Sequence, residues 1–248
     1  MTPFEMLALG ATATAAGVVN TLAGGGSLLT VPLLVLLGLP GGIANGTNRV
    51  GVLLQSWVAA WRFRALGVGG LREAAPVLLP VAAGALIGAW GISQLSDSLF
   101  ERAFGVVMLL LLVPLLRELV VPRPESDQPP ARLGPRWAVI FFGIGLYGGS
   151  FQAGVGIPLL FALSYAGFDL VRANAIKVIV TAVLTLTAVP VFLLAGQIAW
   201  GPAGVLAVGY SAGAALGARL AVRGGERLIR PVLAAAVIAL AGRMLGLY

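Results

Sequence analysis

Apolar residues fall in eight long runs along the chain, separated by short polar or charged stretches. The runs cover residues 4–37, 42–62, 74–95, 99–121, 137–166, 170–195, 199–221 and 228–247. A helix needs about 20 residues to cross the hydrocarbon core of a bilayer. Six of the runs have that length, whereas 4–37 and 137–166 are too long for one crossing. The pattern predicts an all-α polytopic membrane protein with two unusual segments.

Glycine-rich stretches interrupt both long runs near the middle, LAGGGS at 22–27 and YGGSFQAGVG at 147–156. Each run is therefore predicted to form two short helices joined at a break, with the second helices starting near Ser27 and Ala153. Lipid cannot satisfy the backbone groups that a break exposes, so a break is tolerated only where protein buries it or where it lines a cavity. Two helix N-termini meeting at the membrane midplane would make an anion site.

The two halves of the chain repeat each other. VPLL at 31–34 matches IPLL at 157–160, and the same offset of 126 residues carries Thr47-Asn48 onto Ala173-Asn174. A proline-rich polar linker lies between the halves, and proline favours an extended aqueous loop there. We predict a first membrane repeat at 1–121, a linker at 122–135 and a second membrane repeat at 136–248.

Arginine placement favours one topology. If each broken segment is a re-entrant hairpin followed by three transmembrane helices, the second repeat is inverted relative to the first, and only Arg102 and Arg243 fall outside. Under the positive-inside rule the opposite side, which carries twelve arginines, is cytoplasmic. The linker is then cytoplasmic and both termini are outside. The twelve are Arg62, Arg64, Arg72, Arg117, Arg123, Arg132, Arg136, Arg172, Arg219, Arg223, Arg227 and Arg230.

Composition agrees with a membrane protein and narrows its chemistry. Hydrophobic residues make up 59% of the chain and charged residues 10%, with mean hydropathy +0.99. The net charge is +7, but the basic residues lie between apolar runs, which argues against nucleic-acid binding. The N-terminal run has no basic residue before it, so it is interpreted as a retained membrane segment and not as a cleaved signal.

The chain has neither cysteine nor histidine, so it has no disulfide framework and lacks the commonest transition-metal ligands. We expect no metal, no cofactor and no catalytic residue. All nine carboxylates fall at span ends or in loops, so the sequence shows no Asp/Glu/His proton relay. If the predicted anion site serves transport, the anion moves either down its own concentration gradient or together with a proton that it carries itself.

Polar and basic residues inside the apolar runs are the candidate anion ligands. A charge at membrane depth costs at least about 2.5 kcal/mol, which makes Arg49 and Lys177 notable. Each has an alternative interpretation as a cation that snorkels to the interface, and Asn48 and Asn174 can instead join helices by hydrogen bonds. The predicted site is Gly25, Gly26, Ser27, Thr47, Asn48, Arg49, Gly149, Ser150, Gln152, Gly154, Asn174 and Lys177.

The stretch GGGSLLTVPLLVLLGLPGGIANGTNRVGVLLQS and its second-half copy GGSFQAGVGIPLLFALSYAGFDLVRANAIKVIV resemble the sulfite exporter TauE/SafE family over nearly the whole chain. The resemblance implies a bacterial or archaeal inner-membrane carrier that exports sulfur-containing anions such as sulfite, sulfonates or thiosulfate. It also implies that the glycine-rich breaks line the substrate site beside Asn48 and Asn174. Ala173 replaces the threonine of the Thr-Asn pair, which makes the half-sites chemically unequal.

Other functions are weaker alternatives. An anion channel, or a carrier for another small organic anion, would use the same site. A membrane enzyme is disfavoured because no nucleophile-base pair or metal cluster lies in the spans, and a structural subunit would leave the polar breaks without a role. The expected partners are a small anionic substrate and the lipid bilayer, and the sequence leaves a monomer and a homodimer equally open.

Overall fold

The computed structural model describes residues 1–120 and 133–223, and these residues form nine α-helices and no strand. The prediction of an all-α protein is confirmed. The predicted run at 228–247 and most of the predicted linker lie outside the described residues. The helices are α1 (Pro3–Ala23), α2 (Ser27–Leu36), α3 (Gly41–Ala65), α4 (Leu71–Ser93), α5 (Asp97–Val120), α6 (Pro135–Phe151), α7 (Gly156–Tyr165), α8 (Leu170–Leu194) and α9 (Trp200–Val222).

Of the helices in the described part of the chain, α1, α4, α8 and α9 are long and apolar enough to cross a membrane, with 21 to 25 residues each. Helix α3 is as long as α8 but buries several polar side chains, among them Asn45, Asn48, Arg49 and Gln55. Because these groups point into the protein, α3 is the most polar element of the core. The chain is a multi-pass helical membrane protein.

Both long apolar runs divide at their glycine-rich stretch, as predicted. The prediction of two short helices is wrong for the first run, because α1 has 21 residues and is long enough to cross a membrane. The first break spans the three residues between Ala23 and Ser27, where α2 begins as expected. The second break lies later than predicted, because α6 continues to Phe151 and α7 begins only at Gly156. The sequence placed the second helix near Ala153, and that position is wrong by three residues because Gly149 and its neighbours are helical.

The helix contacts made by the first half of the chain correspond to those made by the second half. Helix α1 packs on α9 and α6 packs on α4, while α3 contacts α9 and α8 contacts α4. Helices α3 and α8 also contact each other. Small residues permit these close approaches. For example, a Cβ added to Gly17 would lie 2.5 Å from the carbonyl oxygen of Tyr210, and one added to Gly145 would lie 2.4 Å from that of Val81.

The residue pairs at these interfaces give the helix directions. Along α1 and α9, Gly10 faces Val205 and Thr21 faces Gly217, so the two helices run parallel. Helices α4 and α6 are also parallel, because Val81 faces Gly145 and Gly88 faces Ser150. In the first half of each helix, α3 and α8 bring Arg49 and Lys177 to the two breaks.

Candidate functional site

The first break ends α1 with a left-handed glycine. Gly24 has φ of 80°, and its N–H donates to the carbonyls of Val19 and Asn20. This geometry is a common helix ending, and it favours glycine because other residues pay a steric cost at positive φ. A Cβ at Gly24 would lie 2.3 Å from the Cα of Gly156, the first residue of α7. The two breaks are therefore in direct backbone contact.

The second break uses a residue that rarely adopts such a conformation. Gln152 has φ of 61° and is the one described non-glycine residue with positive φ. Gly154 follows with φ of 65°. The Gln152 side chain is buried and bonded at both ends, since its Oε1 accepts from Arg49 (3.0 Å) and its Nε2 donates to Thr185 Oγ1 (3.2 Å). These bonds hold the turn that leads into α7.

Arg49 of α3 reaches across to the carbonyl end of α6. Its guanidinium is fully buried and lies 4.5 Å from the centre of the Phe192 ring. The C-terminal end of a helix carries partial negative charge and unpaired carbonyls, which a cation satisfies. Arg49 donates to the carbonyls of Gly148 (3.1 Å), Gly149 (2.5 Å) and Ser150 (3.0 Å) and to Gln152 Oε1.

Lys177 of α8 binds the carbonyl end of α1, as Arg49 binds that of α6. Its Nζ donates to the carbonyls of Asn20 (3.0 Å) and Thr21 (2.9 Å) and to Asn174 Oδ1 (2.6 Å). The two pairings cross between the halves of the chain, because Arg49 of the first half binds the end of α6 and Lys177 of the second half binds the end of α1.

Asn48 organises the start of α2. Its Nδ2 donates to Ser27 Oγ (3.0 Å), and its Oδ1 accepts from Thr30 (2.7 Å) and from the Tyr210 hydroxyl (3.0 Å). All four side chains are buried. This closed network joins α2, α3 and α9, which matches the alternative interpretation of Asn48 as a group that joins helices.

Other predicted site residues support packing away from the contact between the breaks. Thr47 Oγ1 accepts from the N–H of Ala199 just before α9 (2.9 Å). A Cβ at Gly149 would lie 2.2 Å from the Ala85 carbonyl, so this glycine serves the contact of α6 with α4. The Ser150 hydroxyl bonds to the carbonyls of Leu146 and Gly88.

Gly25 and Gly26 lie in the first break itself. The Gly25 carbonyl accepts from Leu28 at the start of α2 (3.0 Å). A Cβ at Gly26 would lie 2.2 Å from the Ala16 carbonyl, which shows how closely the break folds back on α1.

A small, partly open cavity lies where the two breaks meet, and its free volume of about 10 Å³ is close to the space that one water molecule needs. Helix α7 borders the cavity with its N-terminus, where the Gly156 N–H and the positive end of the helix dipole favour an anion. The neighbouring N–H groups of Val155 and Ile157 donate to Gln152 and Gly154. Within the described ranges, the lining contains one cation and no carboxylate. Its residues are Asn20, Gly24, Gln55, Ser56, Val155, Gly156, Lys177, Val178 and Thr181.

Of the predicted site, the structure brings Lys177 to the cavity and Asn174 to Lys177, while Arg49 and Gln152 lie at the second break. The predicted set missed Asn20 and Asn45. Asn20 Nδ2 donates to Gln55 Oε1 (2.7 Å), and Asn45 Nδ2 donates to the Ser150 carbonyl (2.8 Å). Both are detectable, since Asn20 precedes the Gly24 break by one turn and Asn45 precedes Arg49 by one turn on the same face.

The described residues contain no group of three or more Asp, Glu, His or Cys side chains that could hold a metal. The chemistry of the cavity is that of hydrogen-bond donors around a positive charge.

Residues 9–244 match the family described as "Sulfite exporter TauE/SafE". A protein of Haemophilus influenzae named "Probable membrane transporter protein" is 30% identical over 225 residues, covering 88% of this chain and 86% of the relative. "Probable membrane transporter protein ORF9" of a Sinorhizobium species is 30% identical over 246 residues, covering 98% and 93%. "Probable membrane transporter protein YfcA" of Escherichia coli K12 is 28% identical over 222 residues, covering 88% and 81%. No solved structure matches the chain.

Proposed function

The chain belongs to the sulfite exporter TauE/SafE family of membrane transporters, and on that premise we propose that it exports small sulfur-containing anions across a bacterial or archaeal inner membrane. The proposed substrates are sulfite, sulfonates or thiosulfate. The anion binds where the two breaks meet, in a conformation in which the cavity is wider than in this structure. The protein acts as a carrier and not as an enzyme.

The observation that carries this proposal is the position of Lys177 opposite the N-terminus of α7 in one cavity. An anion loses hydration when it enters protein, and that loss must be compensated. A helix N-terminus contributes about 0.3 to 2 kcal/mol, so a buried cation is needed in addition. Here Lys177 and the helix end line the same cavity, and since the three N–H groups of the ammonium already donate to the chain, Lys177 would contribute through its charge.

The neutral lining suits an oxyanion. The side chains of Asn20, Gln55, Ser56 and Thr181 offer amide and hydroxyl donors. A sulfur oxyanion presents several acceptor oxygens, so it can bond to donors from more than one helix. Among the described residues, the lining carries one cation and no carboxylate, and this charge favours anions over cationic solutes.

The helix contacts support an internal repeat, because α1 packs on α9 as α6 packs on α4, and α3 contacts α9 as α8 contacts α4. The placement of the arginines favours an inverted repeat, in which each broken pair enters and leaves on one side. In this topology the termini are outside and the linker is cytoplasmic. Alternating access would then come from movement of one repeat against the other around the cavity.

The test is thermal stabilisation of the detergent-purified protein by anions, since a ligand that binds only the folded state raises the unfolding midpoint. The panel is sulfite, thiosulfate, sulfate, sulfoacetate, taurine, acetate and chloride. We expect a shift confined to sulfur oxyanions or sulfonates. We expect Thr181→Val and Ser56→Ala to reduce it, while Thr187→Val, on the same helix outside the cavity lining, keeps it.

An equal shift with every anion, or an undiminished shift in both cavity variants, would contradict the proposed site. Counterflow of labelled sulfite in proteoliposomes then separates a carrier, which exchanges substrate across the membrane, from a channel, which does not.

A further inference from the structure

The carbonyl end of an interrupted membrane helix is a place where transporters bind dissociable cations, because unwound carbonyls and the negative helix end attract them. In this protein the carbonyl end of α1 offers the oxygens of Asn20 and Thr21, and α8 adds Asn174 Oδ1. The three oxygens surround one nitrogen at 2.6 to 3.0 Å. That nitrogen is the Nζ of Lys177.

Lys177 is the only lysine in the sequence, whereas the other fifteen basic residues are arginines. The two side chains are not equivalent. An ammonium is a compact point charge with three donors, while a guanidinium is a wide planar fork. Three acceptor oxygens around one point match an ammonium.

At the other break, the carbonyl end of α6 also binds a cation of the chain, but this cation is the larger guanidinium of Arg49. Arg49 covers the carbonyls of Gly148, Gly149 and Ser150 and the amide oxygen of Gln152. Both carbonyl ends are therefore occupied by cations that belong to the chain itself. Only the one at α1 borders the cavity.

We propose that the Lys177 ammonium is a tethered replacement for a dissociable coupling cation at the carbonyl end of α1. The ammonium satisfies the oxygens at the break and supplies a positive charge beside the cavity, so no ion from solution is needed there. This inference rests on the proposed function only in taking the cavity as the substrate site. It follows that anion binding and transport do not depend on Na⁺.

The proposal predicts that shortening this side chain creates a cation site. Lys177→Ala removes the ammonium and leaves its space, so Na⁺ or methylammonium can bind the three oxygens. Lys177→Met also removes the charge but fills the space with an unbranched apolar chain of similar length. The two variants therefore differ in room for a cation and not in charge.

The experiment follows thermal unfolding of both variants and the unaltered protein without substrate anion. Chloride salts of Na⁺, methylammonium and the bulky N-methylglucamine cation are compared at constant ionic strength. In Lys177→Ala we expect Na⁺ or methylammonium to raise the midpoint by about 2 to 4 °C over N-methylglucamine. We expect no such difference in Lys177→Met or in the unaltered protein.

An equal response of Lys177→Ala and Lys177→Met to the small cations would overturn the proposal. If Lys177→Ala yields folded protein only when it is prepared in methylammonium or Na⁺, the proposal is supported. If it yields none in any cation while Lys177→Met folds, the proposal fails.

A second arm uses the unaltered protein, and it separates this inference from the proposed function. The stabilisation by sulfite is measured in Na⁺ and in N-methylglucamine. Equal shifts are expected, and a shift that requires Na⁺ would overturn the tethered cation while leaving the anion site intact. Absence of any sulfite shift would contradict the proposed function but not the cation titration.

Discussion

The break between α1 and α2 and the break between α6 and α7 place the same kind of group, a row of helix carbonyls, inside a membrane protein, but they differ in the cation that binds them. At α6 the Arg49 guanidinium engages four oxygens. At α1 the Lys177 ammonium engages three and borders the cavity. The difference suggests a division of labour, in which one cation secures a turn and the other also serves the substrate.

Removal of Arg49 should have the largest effect on stability. Arg49→Ala removes one donor from each of four buried oxygens, although the Gly148 and Ser150 carbonyls keep the Gln152 N–H and the Asn45 amide as donors. At about 1 kcal/mol for each lost hydrogen bond, we expect unfolding to become easier by about 4 kcal/mol. Chemical denaturation in detergent measures the change. Arg64→Ala, at an exposed position on the same helix, should change stability by no more than about 0.5 kcal/mol. Equal effects of the two would refute the role given to Arg49.

The contact between the breaks is tested at Gly24. Gly24→Ala combines positive φ, which costs about 1 to 2 kcal/mol, with a clash against Gly156, which adds about 1 to 3 kcal/mol. Gly38 also has positive φ, but a Cβ there would meet nothing within 4 Å. Gly38→Ala therefore isolates the backbone cost. Unfolding midpoints of the two variants that coincide would mean that the breaks do not touch as described.

A smaller effect is expected at Gln152. Both Gln152→Ala and Gln152→Gly lose the bonds to Arg49 and Thr185, which costs about 2 kcal/mol. Glycine avoids the cost of φ at 61°, so it should be more stable than alanine by about 1 kcal/mol. Denaturation curves of the pair give this difference directly, and a less stable glycine variant would contradict the turn geometry.

The smallest effect is expected at Tyr210. Tyr210→Phe removes one hydroxyl from the Asn48 network, while Thr30 still donates to Asn48. We expect a loss of about 1 kcal/mol and unchanged sulfite affinity, because Tyr210 does not line the cavity. A large drop in sulfite affinity, measured by titration, would place the substrate nearer α2 than we propose.

The sequence predicted much of the fold because hydrophobic run length and glycine clusters are local signals. It located the break before Ser27 within a residue. It misplaced the start of α7, because Gly149 serves helix packing and Gln152 adopts the turn instead, a choice made by its bonds to Arg49 and Thr185.

The partners of the buried cations could not be predicted in the same way. Arg49 and Lys177 stand out because charge at membrane depth is costly, but their backbone acceptors lie about 100 and 156 residues away in the chain. Those pairings arise only from the crossed packing of the halves. The same packing takes Thr47 to α9 and brings Asn20 to the cavity.

The most direct test of the central claim is the dissociation constant for sulfite of the unaltered protein and of Lys177→Met, with Thr187→Val as the control. If the anion binds in the cavity against the Lys177 ammonium, Lys177→Met should weaken binding at least about tenfold, which corresponds to 1.4 kcal/mol, while the control binds normally. A folded Lys177→Met protein that binds sulfite as tightly as the unaltered one would contradict the account.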